Sequence, residues 1–124
     1  MANYLGVLLM AIAGLHQVVG LFFYREALVA IIRAGVINSV NPPYWERDAA
    51  FWFLMFGFLL GLYGWMTHWL IQQYATIPSF WGWGLLGICI IGVVMMPASG
   101  FWLAIPIAIG MIRQARHPYP QTTT

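Results

Sequence analysis

A chain of 124 residues that is 62% hydrophobic and 6% charged excludes a water-soluble monomer, since five basic and three acidic side chains cannot cover a globule of this size. A soluble domain carries roughly 25% charged residues, and a mean hydropathy of +0.81 points the same way. A net charge of +2 without any run of like charge gives no case for nucleic acid, and the single cysteine, Cys89, excludes an intramolecular disulfide.

The expectation is an all-α membrane protein of one domain, 1–124, with four transmembrane helices in a compact bundle and a short amphipathic helix between the first and second. A bilayer core of about 30 Å takes about 20 apolar helical residues. The first span covers 3–24 and is interrupted only by His16 and Gln17. Ala11-Ile12-Ala13 mimics a signal-peptidase site, but no Lys or Arg precedes Arg25, so the stretch is read as a retained span.

In the connector, 25–47, Glu26 and Arg33 share a helix face while Leu28, Ile31, Ile32 and Val36 gather elsewhere. That pattern suits either a short helix in the headgroup plane or an extension of the first span ending at Gly35. Asn41 is placed to cap a new helix with Pro42 at its first position, and Glu46 and Asp48 then fall in early turns that favour acids. The second span covers 48–69 and the third 78–96. Pro97-Ala98-Ser99-Gly100 forms a turn into a short fourth span, 98–113, which Pro106 is expected to kink, and a polar tail follows at 114–124. Three spans plus a re-entrant hairpin is the rival count.

Trp65, Trp69, Tyr74, Trp81 and Trp83 are expected to flank one membrane face, and Tyr24, Tyr44, Trp45, Phe101 and Trp102 the other. Orientation is finely balanced. The connector holds Arg25, Arg33 and Arg47, matched by three acids, and the tail holds Arg113 and Arg116. A count of basic residues favours a cytoplasmic connector, whereas the unmatched basic tail favours termini inside, the orientation adopted.

Asn3, Gly6, Met10, Ala13, Gln17, Gly20 and Tyr24 recur at spacings of three and four and draw a small and polar stripe down the first span. Gly57, Gly61, Gly64 and His68 answer from the second, and Gly82, Cys89, Gly92 and Met96 from the third. These stripes are expected to face each other, either as pure helix packing or with a cavity between them. His16 lies about 4 Å past the middle of its span, where an ionisable group needs a partner. Its readings are a structural hydrogen bond, a ligand or proton contact, or metal ligation. The last is weakened by His68, which lies roughly 20 Å away along the membrane normal. No metal or cofactor is expected, and Met10, Met55, Met66, Met95 and Met96 are read as packing residues.

The charged connector is the second constellation. Arg25, Arg33 and Arg47 are expected to pair with Glu26, Glu46 and Asp48 as an interfacial ion-pair collar, with a polar substrate mouth as the alternative. There is no nucleophile elbow, phosphate loop or Ser/His/Asp arrangement.

Three segments carry a resemblance: Gly14-Leu15-His16-Gln17-Val18-Val19-Gly20, Arg47-Asp48-Ala49-Ala50-Phe51-Trp52-Phe53 and Met96-Pro97-Ala98-Ser99-Gly100-Phe101-Trp102. With their spacing, nearly the whole chain resembles a family of small bacterial membrane proteins defined only as a domain of unknown function. That resemblance implies four transmembrane helices in the bacterial inner membrane and no activity. At fold level alone, the bundle is also similar to sterol-isomerase-like proteins.

The leading expectation is a multi-pass protein that binds, and in one version transports, a small hydrophobic or lipid-like molecule. Its pocket would lie near His16, Gln17, Gly57, Gly61 and Gly92, closed on the connector side by Trp52 and Trp102. The alternatives are an accessory subunit docking on a larger membrane complex through its glycine stripe, a homo-oligomer, or a membrane-embedded enzyme using His16 or a connector acid. Membrane lipids are the expected partners.

Overall fold

The computed structural model describes residues 2–117, which are all-α: a 3-10 turn, Ala2–Tyr4, leads into five α-helices. These are α1 Leu5–Phe23, α2 Arg25–Arg33, α3 Trp45–Tyr74, α4 Ser79–Met95 and α5 Phe101–Arg116. The expected tail of 114–124 starts later than its composition implied, because α5 continues to Arg116 and buries Gln114. Residues 118–124 of that tail lie outside the described residues.

Local chemistry explains the joints. α1 passes into α2 with only Tyr24 between them, and the backbone bonds Tyr24 N–H to Gly20 O and Leu28 N–H to Tyr24 O, both 2.9 Å, run across the joint. α2 stops where Gly35 takes φ +87°. The Val36 N–H then reaches Ile31 O at 3.0 Å and the Gly35 N–H reaches Ile32 O at 3.1 Å, a Schellman closure. Val36 follows with φ +67°, a left-handed conformation that its branched Cβ disfavours. Two side chains hold the turn there: Ser39 Oγ donates to Val36 O at 2.6 Å, and Arg47 Nη1 donates to Ser39 O at 3.0 Å.

The expected Asn41 cap does not form. Asn41 turns its amide back onto Asn38, the Pro42–Pro43 bond is cis, and α3 begins only at Trp45 after an uncapped Tyr44. Of the two N–H groups such a cap would meet, Pro43 has none and that of Tyr44 goes to the Asn41 carbonyl at 3.2 Å. Glu46 and Asp48 do fall in the first turn of α3. At 30 residues α3 extends beyond 48–69 at both ends, and at 1.5 Å per residue it is about 45 Å long.

Packing proceeds by antiparallel pairs. α1 lies along α3, with Gly6 meeting Gly64 and His68 while Gly20 meets Phe53 and Leu54. α4 lies along α5, with Gly82 on Met111 and Ile112 and Gly92 on the Phe101 ring. The pairs join where Leu5 of α1 packs over Gly110 of α5. Gly6 and Gly64 meet backbone to backbone: a Cβ added to Gly64 would lie 2.9 Å from Met10 N and 3.0 Å from Gly6 O. The buried cluster, including Leu9, Ile71, Leu85, Cys89, Ala108 and Met111, gathers around these contacts. The connector, the start of α3, the end of α4 and the start of α5 therefore share one end of the molecule. The start of α1 and the end of α5 share the other.

Val36 is exposed, so replacing it with glycine removes backbone strain without opening a cavity. Val36→Gly is expected to stabilise the fold by about 0.5–1 kcal/mol, the left-handed relief less the added chain entropy. Thermal unfolding in detergent checks this, and an unchanged or lower midpoint contradicts it.

Candidate functional site

Two polar side chains interrupt the apolar run of α1, and both reach α3. His16 Nε2 lies 2.9 Å from Phe53 O, and the Gln17 amide donates to Leu54 O at 3.0 Å. Because the carbonyl can only accept, the His16 contact requires the proton on Nε2. Within α3, Phe53 O and Leu54 O already accept from N–H groups four residues later, and their second lone pairs take these side chains. The approach is possible because Gly57 has no side chain: a Cβ there would lie 2.8 Å from both His16 Cδ2 and Gln17 Cδ. The His16 ring also stacks on Phe53, with centroids 3.9 Å apart and planes within 9°. Gln17 Oε1 is buried without a partner among the described residues, the one polar cost left at this contact.

The other expected pocket residues are dispersed. A Cβ on Gly61 would meet Ala13 at 3.6 Å, and Gly92 is covered by Phe101. Trp52 and Trp102 are 63% and 55% exposed; Trp52 lies edge-on to Phe51, and Trp102 Nε1 donates to Pro97 O at 2.8 Å. Of the seven, the structure brings His16, Gln17 and Gly57 into mutual contact. His68 packs against Gly6, ten residues along α1 from His16 and so about 15 Å away.

The charged residues converge elsewhere. Arg25, Glu26, Arg33 and Arg47 line an open pocket of about 630 Å³ at the connector end, completed by Val29, Ala30 and Ala34. α2 contributes all of these but Ala34, which follows its last residue, and Arg47, which α3 swings in from its first turn. The Arg47 guanidinium lies over the Tyr44 ring, 3.9 Å from its centroid, in addition to its bond to Ser39 O. Its Nε is buried without a partner among the described residues. A second depression of about 310 Å³, lined by Phe22, Phe23, Arg25 and Glu26, shares the Arg25–Glu26 wall. Glu46 and Asp48 are not among the residues lining either pocket.

One polar network was not anticipated. Tyr63 stacks on Trp81, with centroids 4.5 Å apart, and donates its hydroxyl to Trp81 O at 2.5 Å. Trp81 Nε1 donates to Thr67 Oγ1, which donates to Tyr63 O, both at 2.8 Å. Trp81, expected in an interfacial belt, therefore joins α4 to α3. The four-residue spacing of Tyr63 and Thr67 was the available signal. Gln114 adds a further tie, from α5 to Ala75 O at 3.0 Å.

Removing one donor from the α1–α3 contact loses a hydrogen bond inside an apolar seam and, at His16, the ring stacked on Phe53. His16→Ala and Gln17→Ala are each expected to destabilise the fold by about 1–2 kcal/mol. Gly57→Leu should be far worse, since its side chain would occupy the space of both. Unfolding free energies in detergent check this order, and a harmless Gly57→Leu contradicts it.

Among curated proteins and among solved structures no match was found. A family model, described as a family of unknown function (DUF6463), matches residues 1–118. With the match covering nearly the whole chain, including all three segments that carried the resemblance, the protein belongs to this family of unknown function.

Proposed function

We propose that this is a multi-pass protein of the bacterial inner membrane that holds a lipid-like amphiphile at the membrane interface. α1 and α3 are long and apolar enough to cross a bilayer, and α4 is a shorter apolar helix. Only 22% of the apolar window of α1 and 17% of that of α3 are buried within the fold, whereas the core helix of a soluble protein would be mostly covered. Lipid is the solvent that such exposed faces fit, as at Phe22, Phe23, Phe58, Ile91 and Val94. In this arrangement α1, α3, α4 and α5 form the four spans and α2 lies near the headgroups, its charged face toward water.

The observation that carries the ligand reading is the rim pocket, whose wall is apolar at Val29, Ala30 and Ala34 and charged at Arg25, Glu26, Arg33 and Arg47. A surface of that mixed character matches a molecule with a polar head and an apolar body. The surroundings of His16 fit a ligand less well, because His16 Nε2 and the Gln17 amide N–H are already bonded to α3, which leaves Gln17 Oε1 alone without a partner there among the described residues. A second reading, an accessory subunit of a larger membrane complex, draws on Gly14, Gly84 and Gly87. A Cβ at these positions would meet nothing within 4 Å, and small residues on an uncovered helix face suit a partner helix.

The test is native mass spectrometry of protein purified in a mild uncharged detergent. The wild type is expected to carry a lipid-sized adduct, lost in the pocket-filling variant Ala30→Trp and kept in His16→Ala. An adduct that survives Ala30→Trp and disappears in His16→Ala would move the site back into the bundle. Co-purification of a second polypeptide in fixed ratio would favour the accessory reading.

A further inference from the structure

We infer that the rim pocket is an anion site that selects the phosphate headgroup of an anionic lipid, which presupposes that this pocket is where the amphiphile binds. Three arginines face a single carboxylate, Glu26, so the lining carries an excess of positive charge. The remaining acids of the connector region, Glu46 and Asp48, do not line the pocket. Guanidinium groups match phosphate oxygens in geometry as well as in charge, and they shed water more readily than an ammonium. It is consistent with this chemistry that every basic residue of the chain is arginine.

Arg47 is the group best prepared to receive such an oxygen. Its side chain is fixed from two directions, by Ser39 O at 3.0 Å and by the Tyr44 ring at 3.9 Å, so little freedom remains to be lost on binding. Arg25 and Arg33 are exposed on α2 and bring their charge to the same wall.

The neighbouring depression separates a lipid from a free phosphate. It shares Arg25 and Glu26 with the rim pocket and is otherwise lined by Phe22 and Phe23, which are 70% and 75% exposed. A phosphate seated among the arginines thus has an apolar track beside it, along the end of α1, for an acyl chain. Soluble phosphate would have no use for that track.

The experiment compares binding of dioctanoyl phosphatidylglycerol and dioctanoyl phosphatidylcholine to the full-length protein in uncharged detergent. The wild type is expected to prefer the anionic lipid, and Arg25→Gln/Arg33→Gln to weaken that lipid about tenfold or more while leaving the zwitterionic lipid unchanged. Glu26→Gln, which removes the opposing charge, is expected to tighten phosphatidylglycerol severalfold, a gain that a misfolded variant cannot imitate. Equal affinity for both lipids in the wild type, or a Glu26→Gln variant that weakens the anionic one, overturns the anion assignment while leaving an amphiphile site standing. Displacement of phosphatidylglycerol by millimolar inorganic phosphate overturns the lipid source. Binding of neither lipid, with Ala30→Trp indistinguishable from wild type, removes the rim pocket itself.

Discussion

The fold depends on how closely α1 can approach α3. In the lipid setting proposed for this chain no hydrophobic force pushes two apolar helices together, so contact must come from close packing and from hydrogen bonds across the seam. Gly6 opposite Gly64 brings the backbones together at one end, and Gly57 opens the space through which His16 and Gln17 reach the carbonyls of Phe53 and Leu54. Without those glycines the polar side chains of α1 would be held away from any acceptor, in the part of the molecule where an unmet donor costs most.

This seam decides where chemistry is available. His16 and Gln17 are the polar residues near the centre of α1, and both are committed to α3. Tyr63, Thr67, Trp81 and Gln114 are likewise committed, to joints between α3 and the α4–α5 pair. Charge is confined to the ends of the helices. The pocket at the connector end exists because α2 leaves α1 after a single residue and α3 returns Arg47 to it across a turn held by Ser39. The helices thus divide the labour: the seam holds the scaffold, and under the proposed function the charged and apolar rim meets the interface.

Much of this was legible in the sequence. The small-residue stripes of α1 and α3 follow from helical period alone, and they do face each other: Gly6, Ala13 and Gly20 on one side, Gly57, Gly61 and Gly64 on the other. The pocket expected near His16 included Gly57, and the two are in contact. It also included Gly92, but that glycine is spent on Phe101, a partner set by the α4–α5 turn. Trp81 has a role that the belt reading did not include: Thr67 supplies the acceptor and Tyr63 the ring face that tie it to α3. The Asn41 cap failed because Pro43 has no N–H to offer it and the Tyr44 N–H is taken by the Asn41 carbonyl. The connector arginines were read first through their neighbours in sequence, the acids, with a polar mouth as the alternative; which of them share a pocket depends on the α2–α3 turn.

The hydrogen bond from His16 to Phe53 is the most exposed point of this account, and nitrogen NMR of the protein labelled at histidine reads it directly. The account predicts that the His16 ring carries a proton on Nε2 and shows a coupling across the hydrogen bond to the Phe53 carbonyl. A His16 ring with a proton on Nδ1 and none on Nε2, or one whose Nε2 proton exchanges with bulk water as freely as that of a solvated histidine, would contradict it.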